Sequence, residues 1–103
     1  MISKQKTLEM TNNIINALDK AELFENRFRF EDDLNIEDAY FISHSIADLR
    51  QERGEKISGI KIGFTNRMMW EEYKVYAPIF APMYVSTLHT DKTILSLSKF
   101  VQP

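Results

Sequence analysis

Ile57-Ser58-Gly59-Ile60-Lys61-Ile62-Gly63-Phe64-Thr65 is the stretch on which the reading of this chain turns. Ile60, Ile62 and Phe64 fall on one side of an alternating pattern, while Gly59, Lys61, Gly63 and Thr65 fall on the other. A period of two is the signature of an extended strand, so the pattern predicts a strand over 57–65 with one apolar and one sparse face. Ile60, Ile62 and Phe64 are expected to face the core. A lysine inside such a strand is costly to bury unless its ammonium reaches water, a carboxylate or a ligand. Its same-face neighbours are two of the chain's three glycines. Glycine weakens a strand interior and is accepted where a ligand or another backbone comes close. Lys61 is therefore the leading candidate for chemistry. The plainer alternative is an edge lysine facing solvent, with the glycines serving a bulge.

Upstream of the strand the period changes to that of a helix. Asn35 can cap a second helix, Glu37 and Asp38 place negative charge in its first turn, and Gly54 sits where a C-terminal glycine belongs. Its inward stripe reads Ile36, Ala39, Tyr40, Ser43, Ile46, Ala47 and Arg50. A first helix is marked by Leu8, Thr11, Ile14, Ile15 and Leu18 at three- and four-residue spacing. Between the two, Phe24 to Asp33 breaks the pattern and predicts a loop whose phenylalanines dock on the body. The acidic run Glu31-Asp32-Asp33 reads as a solvated part of it.

Downstream, Asn66 predicts a cap for a short helix from Arg67 to about Tyr73. Pro78 and Pro82 predict turns, and Val85–Leu88 and Thr93–Leu97 predict two further strands. From Val75 onward only Asp91, Lys92 and Lys99 are charged, and six of the twelve aromatic residues lie between Phe64 and Tyr84. A small domain with so little charge at one end predicts a surface that is covered by something else.

The whole composition bounds the answer. A chain of 103 residues allows one domain with a thin core. Thirteen basic against fifteen acidic residues give no electrostatic case for a nucleic-acid binder. The absence of cysteine removes disulfides, thiolate nucleophiles and sulfur-based zinc sites. No apolar run approaches the ~18 residues of a membrane span, and the first ten residues lack a signal-peptide core, so a cytoplasmic chain is expected. His44 and His89 share no ligand spacing. Glu71 and Glu72 are adjacent and so point apart on a helix, and Met68-Met69-Trp70 reads as core or interface. No nucleophile triad and no glycine-rich phosphate loop is visible.

Three segments in order, Asn35-Ile36-Glu37-Asp38-Ala39-Tyr40, Gly59-Ile60-Lys61-Ile62-Gly63-Phe64-Thr65 and Ala77-Pro78-Ile79-Phe80, resemble the N-terminal portion of one family. It is that of the 2-keto-4-pentenoate hydratases, 2-oxohept-4-ene-1,7-dioate hydratases and 4-oxalocrotonate decarboxylases, within the fumarylacetoacetate hydrolase-like superfamily. The likeness runs over roughly residues 8 to 103. It implies an α+β fold with two N-terminal helices packed on a small β-sheet. It also implies a lyase acting on small 2-keto acids from aromatic-ring degradation, with Mg²⁺ or Mn²⁺ as Lewis acid. Lys61 aligns with the family's active-site lysine, and Thr65, on the same strand face, is implied as a substrate contact.

Two departures qualify the resemblance. Family members run to about two and a half times this length. Their glutamate-x-glutamate metal motif follows the segment that here reads Phe100-Val101-Gln102-Pro103, so no metal ligand is assigned within the chain. Where some hydratases carry an aspartate after the proline, this sequence has Ile79, and the glycine of the same turn is Ala81. The expectation is an N-terminal domain of a lyase, inactive alone. It would be completed by a C-terminal catalytic domain or covered by self-association. The alternative is a non-catalytic interaction module that retains the fold.

Overall fold

The structure is a computed structural model that describes residues 2–23 and 34–102. The expected docking of the phenylalanines of 24–33 lies outside those residues. The described elements are helix α1 (Lys4–Lys20), helix α2 (Ile36–Glu52), strand β1 (Ile57–Gly63), the short helix α3 (Met68–Tyr73) and strand β2 (Ile79–Tyr84), with 3₁₀ turns at Val85–Thr87 and Leu97–Lys99.

Both long helices form where the pattern places them, and their ends are chemically defined. Ser3 accepts a hydrogen bond from the Lys6 N–H at the start of α1. At α2 the cap is reciprocal: Asn35 Oδ1 accepts from the Asp38 N–H at 2.8 Å, and Asp38 Oδ2 accepts from the Asn35 N–H at 3.2 Å. The same carboxylate accepts from the Ile2 N–H, which pins the chain's start to α2. Gly54, at φ +98°, ends α2 as expected. The Glu55 N–H reaches back to the Arg50 carbonyl and the Gly54 N–H to that of Gln51, so the last carbonyls are satisfied.

The inward face of α1 differs from the expected one. Thr7, Met10 and Thr11 are buried, whereas Leu8 and Leu18 are exposed. Threonine can sit inside because each hydroxyl bonds within the helix, Thr11 Oγ1 to the Thr7 carbonyl at 2.8 Å and Thr7 Oγ1 to that of Ser3 at 3.0 Å. α1 packs on α2, where Ile42 is buried. Another side of α2 meets the sheet: Tyr40 lies against Phe80 with centroids 4.9 Å apart, and the Arg50 guanidinium sits 3.7 Å over the Tyr84 ring. Helix α2 is thus the middle layer.

The sheet is one antiparallel pair, β1 with β2, in the register Ile60↔Pro82, Lys61↔Ala81, Ile62↔Phe80 and Gly63↔Ile79, with an irregularity between Ile57 and Gly59. Four expectations are corrected here. Pro82 does not break its segment into a turn; it lies within β2, which an outer strand tolerates. Val85–Leu88 begins as a 3₁₀ turn, and Thr93–Ser96 has no regular structure before the turn at Leu97–Lys99, so the two expected strands are absent. β1 ends at Gly63, because Phe64 turns into the left-handed region at φ +56°. Finally, Ile60 and Ile62 are not core residues: they are 65% and 66% exposed, because α2 meets that face through Tyr40 at Phe80 and Arg50 at Tyr84 and leaves the β1 side of it open. Every residue from Val85 to Gln102 is exposed. No helix among the described residues is long and apolar enough to cross a membrane.

Candidate functional site

Lys61 stands at the middle of β1, opposite Ala81, and is exposed. The register puts Gly59, Lys61 and Gly63 on one face with Ile79, Ala81 and Met83, away from α2. A Cβ added at Gly59 or Gly63 would meet nothing within 4 Å, so the space on either side of the lysine is open. The irregularity beside Gly59 also gives the bulge reading some footing. Both readings of the glycines therefore have structural support. What the arrangement offers chemically is an ammonium on a rigid strand with unobstructed access along the face.

Thr65 is exposed, but β1 no longer carries it, so strand alternation does not place it beside Lys61. The turn that does position it is built by Phe64. The Trp70 Nε1–H donates to the Phe64 carbonyl at 2.9 Å, and the Phe64 ring meets Tyr73 edge-on at 5.8 Å. A bulky residue at positive φ is rare, and here these two contacts with α3 hold it. Asn66 Oδ1 accepts from the Met68 N–H, as a cap for α3 should.

The strand is set against α2 by a cluster the sequence reading missed. Glu55 Oε2 and Oε1 accept from Arg50 Nε and Nη2 at 3.1 and 2.9 Å, Oε2 accepts from Arg53 Nε at 2.7 Å, and Oε1 accepts from the Ser86 hydroxyl at 2.9 Å. Arg53 reaches on to both oxygens of Asp19 at the end of α1. The Arg50 bonds first, then those of Arg53 and Ser86, hold the Glu55 carboxyl down at about 2. Burial pushes the Tyr84 hydroxyl up from its ordinary value. The available signal was an acid directly after a helix-ending glycine, with arginines one turn back: Arg50, Arg53, Gly54, Glu55.

The remaining candidates stay apart. His44 and His89 are exposed on α2 and beyond β2, and Glu71 and Glu72 are exposed on α3. Met68 is exposed, while Met69 and Trp70 are half-buried. Among the described residues no three His, Asp or Glu side chains stand close enough to hold a metal ion. Lys61 contributes no oxygen, and a hard divalent ion needs several. The residues present therefore do not fit a divalent metal on their own.

No family model matches the chain. It is 33% identical over 73 residues to a 2-hydroxyhexa-2,4-dienoate hydratase of Comamonas testosteroni, which covers 69% of this chain and 28% of that protein. It is 32% identical over 65 residues to a 2-keto-4-pentenoate hydratase of Burkholderia vietnamiensis, covering 63% of this chain and 25% of that one. The chain thus spans about a quarter of the length of these relatives. Its fold matches that of 4-oxalocrotonate decarboxylase from Pseudomonas putida G7, solved with calcium and acetate, at a TM-score of 0.73 and 23% identity over 82% of this chain and 32% of that one. The same enzyme solved with magnesium and adipate superposes equally well. The chain is thus similar in sequence to 2-hydroxyhexa-2,4-dienoate and 2-keto-4-pentenoate hydratases and in fold to 4-oxalocrotonate decarboxylase.

Proposed function

We propose that these residues form the N-terminal, lysine-bearing portion of a lyase of the hydratase or decarboxylase type, acting on a small 2-keto acid from aromatic catabolism. The observation that carries this reading is Lys61, held mid-strand between two glycines with open space around it, in a chain whose relatives are hydratases. In that role the Lys61 ammonium stabilises developing enolate charge or relays a proton, and the Thr65 hydroxyl contacts a substrate oxygen. A complete enzyme of this type would need a divalent ion to polarise the keto acid, and the carboxylates to hold it would have to come from outside the residues described above. By itself the 103-residue chain should therefore lack turnover. The test is an assay of the purified chain on 2-hydroxypenta-2,4-dienoate and 4-oxalocrotonate with Mg²⁺ supplied. Metal-dependent turnover would overturn the reading.

A second reading is favoured by a different observation, the exposure of Ile60, Ile62, Phe80 and the whole of 85–102. The chain exposes 8483 Å², against the ~6000 Å² that size scaling gives a folded monomer of 12.1 kDa. In that reading the fold is an assembly module, and the excess surface is covered by self-association.

A further inference from the structure

The two outer edges of the sheet are unlike each other. On β2 the Phe80 N–H donates to the Tyr40 hydroxyl at 3.4 Å, so it points away from β1. Two residues on, Pro82 has no N–H to offer. The β2 edge is thus covered by α2 and blunted by proline. In an antiparallel pair, residues opposite such positions also turn their polar groups outward. Those are Ile62, opposite Phe80, and Ile60, opposite Pro82. Their N–H groups have no partner among the described residues, and within β1 the single charged side chain is Lys61. An apolar edge with outward-facing N–H groups is a template for another strand.

We propose that the β1 edge pairs antiparallel with β1 of a second copy of this chain, giving a four-stranded sheet ordered β2-β1-β1-β2. This rests on the self-association reading and adds the surface and register. β1 spans Ile57–Gly63, so a two-fold axis at Ile60 lays the strand along its twin and matches the outward N–H and C=O of Ile60 to those of its counterpart. That register places Lys61 opposite Gly59 of the second copy, whereas an axis at Lys61 would set like charges face to face. The glycine leaves room for the lysine stem. Lys61 still stands perpendicular to the sheet on the face away from α2, so pairing does not occupy it.

The test is sedimentation of the 103-residue chain at micromolar concentration, alongside two variants. The wild type should sediment at twice the chain mass. Ile60→Lys, a change at an exposed position, should sediment as a monomer, and Ile94→Lys, remote from the edge, should remain a dimer. An Ile60→Cys chain, otherwise free of cysteine, should form a covalent dimer on mild oxidation, and an Ile94→Cys chain should not. This second readout does not depend on the lysine variant folding. Dimers in all three sedimentation samples, with no Ile60→Cys cross-link, would overturn the edge while leaving self-association standing. A monomeric wild type would overturn both.

Discussion

Lys61 and Glu55 are both charged and lie in adjacent segments, yet they are placed in opposite ways. Lys61 is exposed in open space and its side chain makes no hydrogen bond or ion pair with the described residues, so the fold should not need it. Lys61→Ala is expected to move the melting temperature of the chain by at most about 2–4 °C, since exposed side chains away from structural contacts change stability by about ±0.5 kcal/mol at most. Thermal unfolding followed by circular dichroism checks this. A larger drop would mean that the lysine packs the strand. Glu55 is the reverse. It accepts from two arginines and a serine, with only 17% of its side chain exposed, and Glu55→Ala leaves Arg50 half-buried without its carboxylate. That change should cost about 1–3 kcal/mol in denaturant unfolding. The pH dependence has a definite sign. The carboxyl lies near 2 in the fold against 4.5 ordinarily, so its contribution is complete above about 4.5 and is lost as pH falls through about 2. Unfolding curves from pH 6 to pH 2 should show that acid loss, and Glu55→Gln should flatten it. Asp19, by contrast, meets Arg53 across an exposed pair, and Asp19→Ala should cost only about 0–1 kcal/mol.

At the scale of elements, stability resides in the caps and in the turn after β1. Asn35→Ala removes one half of a reciprocal cap and should cost about 0.5–2 kcal/mol, measured by urea unfolding of the full chain. Gly54→Ala should also destabilise, because φ of +98° strains any Cβ even though space there is open. The caps and helices were readable because their signals are local: Asn35 with Asp38, and Gly54 at the end of a stripe. The strand was readable from its alternation, and its end was not. Nothing local in Gly63-Phe64-Thr65 announces that Phe64 takes a left-handed conformation; Trp70, six residues away, fixes it through its carbonyl. Pro82 misled for a related reason. A proline reads as a turn until one knows that its side of the strand is an outer edge. Lys61 and its two glycines were legible as a candidate, whereas the Glu55 cluster needed the geometry of a helix end that folds an acid back on its own arginines.

The described residues form three layers, α1 on α2 on a two-stranded sheet, and the sheet is the least covered of them. The likeness covers only about a quarter of the length of its relatives, and the fold leaves an excess of exposed surface. A sheet of two strands has no second neighbour, and its apolar residues must find one. Under the proposed function, this portion would contribute Lys61 to a lyase site whose metal ligands lie elsewhere. The most direct measurement replaces the corresponding segment of a 2-keto-4-pentenoate hydratase with residues 8–102 of this chain and compares the chimera with its Lys61→Ala variant. The chimera should turn over substrate in a Mg²⁺-dependent manner, and the variant should lose about 100-fold or more in kcat with an unchanged melting temperature. Equal turnover by the two would contradict the assignment of Lys61.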